Sequence, residues 1–266
     1  MMRVASYNMR KAIGTDRRRR PERTLEVLNE LDVDVIALQE ADRRFGARIS
    51  ALPLELIDRH SDYKPVDFDV RVESIGFHGN AMLVRKNVEI LAQTVLPLPS
   101  LEPRGAVLAE IRVDGVALRV VGMHLDLSGL WRRRQAHAIL SHLRERDGQL
   151  PAVLMGDLNE WSTQGGCLRE FAAHHLFAPC GRSFHARRPI AQLDRIMVTP
   201  DLEILASGAH DSTVARRASD HLPVWAELRP AETVQPLPPP SFSGRGGSGW
   251  ASRLRSSIAS QSRKGS

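Results

Sequence analysis

Ala152-Val153-Leu154-Met155-Gly156-Asp157-Leu158-Asn159 is the stretch on which the fold turns. Four apolar residues are too few for a helix and suit a buried strand, and an Asp and an Asn follow at its C-terminal end. The same pattern, a short apolar run closed by a polar group, recurs along the chain. Asn8 closes the run 3–7, Glu40 follows 35–38, and His124 follows 116–123. Further runs at 81–84, 88–95, 107–113, 195–198 and 222–228 read as strands by length and β-branched content. Helical signals fall between them. Pro21 starts one helix, followed by Leu25, Leu28 and Leu31, and Ala136, Ile139, Leu140 and Leu143 recur at helical spacing in another. Nine or more strands with intervening helices predict a mixed α/β protein, two packed sheets covered outside by helices.

The 266 residues, 42% hydrophobic and 26% charged, can bury a real core, which excludes wholesale disorder and fibrous classes. No apolar run of about 18 residues occurs, and the N-terminal apolar stretch is too short for a secretory signal, so a cytoplasmic protein is expected. Cys167 and Cys180 read as reduced packing residues. The net charge is +6, and five cations (Arg245, Arg253, Arg255, Arg263, Lys264) stand against Glu232 beyond residue 230. The stretch 234–249 is rich in Pro, Gly and Ser and reads as a flexible linker. A catalytic domain over 1–230 and a disordered basic tail over 231–266 are expected. Within the tail, Trp250, Leu254 and Ile258 have the spacing of one short amphipathic helix, a possible peripheral contact with an anionic membrane.

Asn8, Glu40, His124, Asp157 and Asn159 sit at C-terminal ends of predicted strands, whereas Asp194 and Asp220-His221 precede theirs. If those two strands run antiparallel to the others, every one of these groups lies at the same edge. Four carboxylates, Glu40, Asp157, Asp194 and Asp220, with the amides of Asn8 and Asn159, form a hard-oxygen set suited to Mg²⁺ or Mn²⁺ and poorly suited to zinc. Without a cation and protonated partners they would repel one another. Singly, each piece has an ordinary reading: Gly156-Asp157-Leu158-Asn159 as a turn capping a helix, Glu40 as a strand-end carboxylate, His124 as a hydrogen-bonded structural histidine.

The ordered set is more specific. Ser6-Tyr7-Asn8-Met9-Arg10, Ala37-Leu38-Gln39-Glu40, Gly79-Asn80-Ala81-Met82-Leu83, Met123-His124-Leu125, Gly156-Asp157-Leu158-Asn159, Leu193-Asp194-Arg195-Ile196 and Ser219-Asp220-His221-Leu222-Pro223 together resemble the endonuclease/exonuclease/phosphatase superfamily, the deoxyribonuclease-I-like proteins, in its bacterial stand-alone form. The resemblance spans residues 3–228. It implies a four-layer α-β-β-α sandwich of two mixed sheets flanked by helices, with a metal-dependent phosphoesterase site at one end. On that resemblance Glu40 is the principal Mg²⁺ ligand, with Asn8 and Asp220 on or near the metal. Asp157 orients or deprotonates water, Asn159 holds a phosphate oxygen, and Asp194 keeps His221 charged to stabilise the transition state. Asn80 and Arg104 resemble substrate-side residues, although Arg104 in Glu102-Pro103-Arg104-Gly105 fits a surface ion pair equally well. The branch that repairs abasic DNA generally lacks a histidine at the place of His124, which makes that activity less expected here. His124 is a candidate to protonate the leaving oxygen.

Cationic runs should surround the site: Arg10, Lys11 and Arg17 to Arg20, then Arg43, Arg44 and Arg48, then Arg132 to Arg134. Their field suits a polyanion, a nucleic-acid backbone or an anionic phospholipid surface. Aromatic residues for base stacking are few, with Phe45 and Trp131 the main candidates. The resulting expectation is a monomeric, Mg²⁺-dependent phosphodiesterase, with Mn²⁺ a substitute, acting on a small or phospholipid-derived phosphodiester. Its rivals are a nonspecific nuclease on DNA or RNA and a catalytically silent adaptor at nucleic acid or membrane.

Overall fold

The computed structural model describes residues 1–43, 49–69, 74–146 and 148–231. Arg44, Phe45, Arg48, the linker over 234–249 and the amphipathic spacing over 250–258 lie outside them. Thirteen strands are described: β1 (Met2–Asn8), β2 (Val35–Gln39), β3 (Tyr63–Pro65), β4 (Gly76–Phe77), β5 (Asn80–Arg85), β6 (Glu89–Leu96), β7 (Gly105–Val113), β8 (Val116–His124), β9 (Ala152–Asp157), β10 (Leu176–Phe177), β11 (Asp194–Val198), β12 (Leu202–Ala209) and β13 (Val224–Pro230). The helices are α1 (Pro21–Leu31), α2 (Leu54–His60), α3 (Gly129–Arg144), α4 (Leu168–Ala172) and α5 (Ala215–Ala218).

One sheet has the order β12-β13-β1-β2-β5-β3, with β4 also on β5, and the other has the order β10-β11-β9-β8-β7-β6. In each, one parallel pair sits among antiparallel neighbours: β1 with β2, and β8 with β9. Alternation along the strands explains the layers. Val4, Val35, Met82, Val120, Val153 and Ile196 face inward and fill the core between the sheets. Their chain neighbours Ala5, Ile36 and Leu83 face outward on the first sheet and pack with Leu25, Leu28 and Leu31 of α1. On the second sheet, Val121, Leu154 and Met197 pack with Ala136, Ile139 and Leu140 of α3. Strands buried on both faces lose the apolar/polar alternation, which is why these segments read as continuous apolar runs.

All nine predicted strands and both predicted helices occur, within about two residues of their predicted ends. The antiparallel condition for convergence is also met: β11 runs against β9 and β13 runs against β1. Elements without a sequence signal are the eight-residue edge strand β12 and the short β3, β4, β10, α2, α4 and α5. No helix among the described residues is long and apolar enough to cross a membrane.

Candidate active site

Inner-face parity places the polar groups. Val153, Met155 and then Asp157 point inward from β9, and Val198, Ile196 and then Asp194 do so from β11. Val4, Ser6 and Asn8 follow suit on β1, and Val120, Gly122 and His124 on β8. The apolar core therefore ends, on four adjacent inner positions, in a polar row. Register aligns it, with His124 opposite Asp157 and Asp157 opposite Asp194. Gly156 makes that alignment sterically allowed, since a Cβ there would lie 1.9 Å from the Met123 carbonyl oxygen.

Asp157 is the hub. Its Oδ2 accepts a hydrogen bond from Asn8 Nδ2 at 2.9 Å, which ties one sheet to the other. The same oxygen lies 3.3 Å from His124 Nε2 and 3.8 Å from His221 Nε2, while Oδ1 accepts from the Asn159 backbone N–H at 2.9 Å. Burial pushes the Asp157 carboxyl upward, but the charge of His221 and the hydrogen bond and charge of His124 outweigh it and hold the group well below the usual carboxylate range. His221 is the complement. Its Nδ1 is 2.8 Å from Asp194 Oδ2, and Ser183 Oγ donates to that same oxygen. Burial lowers the imidazole pKa, but Asp194, Asp157 and Asp220 more than reverse this and raise it to about 10. His221 is thus a charged imidazolium between two buried carboxylates.

Glu40 follows β2 in a left-handed conformation (φ 53°), and Lys11 donates a hydrogen bond to its Oε2. Burial raises the Glu40 pKa, yet His124, Lys11 and Arg104 together bring it below its ordinary value. Asp220 is paired with Arg10 Nε at 3.3 Å, and Ser219 Oγ donates to the Asn8 carbonyl at 2.7 Å. Asn159 Nδ2 donates to the Leu125 carbonyl at 2.9 Å. A pocket of about 50 Å³ opens beside these groups, lined by Lys11, Glu40, His78, Arg104 and His124 among others.

Two groups bear on metal binding. Asp157, Asp194 and His221 offer ligand atoms within 4.8 Å of one another, close enough to hold an ion. Both ring nitrogens of His221 already face carboxylates, however, so this group works as a charge-paired imidazolium. Glu40 and Asp220 are only half-buried, all-oxygen donors, and each is capped by a cation from the segment after β1. Their donor chemistry, with the amide oxygen of Asn8, is the kind a hard divalent cation takes.

Residues 5–221 match the Endonuclease/Exonuclease/phosphatase family. The chain belongs to that family. Among curated proteins no sequence matches this one. Solved structures of similar fold include an endonuclease/exonuclease/phosphatase from Bacteroides vulgatus, with TM-score 0.70 and 20% identity over 86% of this chain and 98% of that one. A mannosyl-6-phosphatase from Bacteroides thetaiotaomicron matches with TM-score 0.69 and 20% identity, over 86% of this chain and all of that one (100%). D. rerio TDP2 in complex with a single-strand DNA product matches with TM-score 0.66 and 17% identity, over 86% and 98% of the two chains. At these identities the likeness concerns the fold.

Several expected positions look different in the family fold as this chain builds it. Asn80 is 0% exposed, and its Nδ2 donates to the carbonyls of Gly105 (3.0 Å) and Phe77 (3.3 Å), so it braces the pocket wall and does not line the pocket. Arg104 makes the ion pair its sequence context allowed, with Glu102 at 3.3 Å, and its guanidinium also lies against His124 Nε2. Arg132 is corrected from a surface cation to a buried one, paired with Glu160 at 3.2 Å, because its helical position faces the core. Trp131 has the Arg134 guanidinium over its ring at 4.8 Å, which covers a face that base stacking would need. Arg10 and Lys11 are held by site carboxylates and do not point at solvent as a free field. Sequence reasoning missed Ser183 and Phe184, whose ring is 5.0 Å from that of His221. Neither carries a periodicity or spacing signal.

Proposed function

We propose that the chain is a divalent-metal-dependent phosphoesterase, with Mg²⁺ the resident ion and Mn²⁺ able to replace it, that hydrolyses a phosphodiester by in-line attack of water. The observation that supports this best is the Asn8–Asp157–His221–Asp194 connection. It sets a low-pKa carboxylate and an imidazole that is charged at neutral pH side by side, with His124 linking Asp157 to the pocket wall. Glu40, Asp220 and Asn8 would hold the ion, whose chemistry is to neutralise charge on the phosphate oxygens.

The chain's own residues supply the rest. Asp157 stays ionised at neutral pH and is placed to orient a water and take its proton. His221, kept protonated by Asp194, stabilises the negative oxygens that gain charge as the phosphoryl group is attacked. Asn159, beyond the end of β9, has one amide hydrogen on Leu125 and a second to offer a phosphate oxygen. His124 and Arg104 stand together on the pocket wall, where a proton and a guanidinium are both useful to a departing oxygen.

Hydrolysis of bis-p-nitrophenyl phosphate by the wild type, Asp157→Ala and His221→Ala, each with Mg²⁺, Mn²⁺ or EDTA, tests the reading. Metal-dependent turnover that falls by about a hundredfold or more in both variants is expected. Absence of turnover and of metal binding in the wild type would overturn it and favour a silent adaptor.

A further inference from the structure

Trp161 is 61% exposed, whereas the other two described tryptophans, Trp131 and Trp225, are partly buried. It is not on a loose loop. On one side, Asn159 is bonded through both its backbone N–H and its amide, and Glu160 is buried against Arg132. On the other, the Ser162 N–H donates to Glu160 Oε1 at 3.1 Å, and the Gly165 N–H donates to Ser162 Oγ at 2.8 Å. The ring is therefore presented outward by a backbone fixed on both flanks.

Its inner neighbour is Phe184, whose ring meets it edge to face at 6.0 Å and in turn lies 5.0 Å from the ring of His221. The Phe184 segment is fixed as well. The Ala186 N–H donates to the Asp220 carbonyl at 2.7 Å, and the Leu222 N–H to the Ser183 carbonyl at 2.8 Å. Two ring contacts thus lead from the imidazolium to an open indole. Arg182 and Arg188 flank the Phe184 segment, are exposed, and make no ion pair among the described residues.

We propose that Trp161 is a specificity-determining residue of this site, stacking a nucleobase of the ester whose phosphate lies at His221 and so selecting nucleotide phosphodiesters. A rigid, exposed ring, with exposed cations on the segment of its ring neighbour Phe184, matches a flat heteroaromatic ring that carries phosphates. An acyl chain would need a continuous apolar strip. The residues that follow, Ser162, Thr163 and Gln164, are polar.

This selection rests on the phosphoesterase reading above, so binding is measured separately from turnover. Thymidine 3′,5′-bisphosphate should quench tryptophan fluorescence in the wild type, and the quench should vanish in Trp161→Phe. With Mg²⁺, Trp161→Ala should raise the KM for thymidylyl-(3′→5′)-thymidine by about tenfold with little change in kcat, and Trp161→Phe should restore most of the loss. Hydrolysis of glycerophosphoethanolamine, which has no ring, should be unchanged in both variants. An unaltered KM for the dinucleotide, or an equal loss on both substrates, would overturn the proposal. If the wild type hydrolyses neither ester, binding alone decides: a quench that depends on Trp161 supports the stacking residue, and no quench overturns it, while the phosphoesterase reading stands or falls on bis-p-nitrophenyl phosphate.

Discussion

His221 has a carboxylate at each ring nitrogen, and that arrangement has a pH signature. Its pKa is about 10 in the folded chain against an ordinary 6.5, so the imidazolium's contribution to stability is complete below pH 6.5 and is lost as pH rises through about 10. In EDTA, the melting temperature of the wild type should exceed that of His221→Asn at neutral pH, and the gap should close as pH approaches and passes 10. A gap constant over that range would mean the ring is neutral in the fold. The residues of this cluster were legible from sequence because each is the polar terminus of an apolar run, as Asp157 is of 152–155 and Asn8 of 3–7. Residues whose importance comes only from tertiary neighbours were not. Ser183 matters through the oxygen of Asp194, and Trp161 through Phe184, which is 23 residues further along the chain. The burial of Asn80 was equally invisible, since an Asn at a strand start looks the same whether its amide meets solvent or the Gly105 carbonyl.

At the scale of elements, the parallel pair β8 and β9 depends on Gly156. Gly156→Ala places a methyl against the Met123 carbonyl, and the strands must part; a loss of about 1–3 kcal/mol in urea unfolding is expected, with activity falling further because His124 and Asp157 lose register. The segment after β9 depends on a different device. Arg132 of α3 and Glu160 form a buried pair, and removing one partner leaves the other charged and unpaired. Arg132→Met or Glu160→Gln alone should cost about 3–5 kcal/mol, and the double variant less than either, as a double-mutant cycle by denaturant unfolding will show. The nine strands found from sequence are those packed on one or both faces against the core. Strand β12 escaped because it is a half-exposed edge rich in Ala, Ser and Gly, whose conformation is imposed by its pairing with β13. The two- and three-residue strands β3, β4 and β10 are likewise imposed by their neighbours and are too short for any period to register.

For the whole molecule, the site is a joint between two sheets that share a single core, and a bound ion should strengthen that joint. Addition of Mg²⁺ should raise the melting temperature, since a ligand bound only by the folded state stabilises it by about 2.7 kcal/mol at a hundred times its dissociation constant, and the rise should be lost in Glu40→Gln. A rise retained in Glu40→Gln and lost in Asp194→Asn would move the ion to the Asp157, Asp194 and His221 group. The position of β1 has a further consequence. The first strand of the chain lies in the middle of its sheet, held on one side by β2 and on the other by β13, one of the last segments to be made. On the ribosome, β6 to β11 can assemble soon after Val198 emerges, whereas the inner edge of β1 stays unpaired until residues 224–230 arrive. The cluster around Asp157 and His221 is therefore completed only once β13 has emerged: a polypeptide whose exposed part stops before Val224 would display its second sheet beside an open first one, with Asn8 on an unpaired strand edge that invites a chaperone to cover the gap.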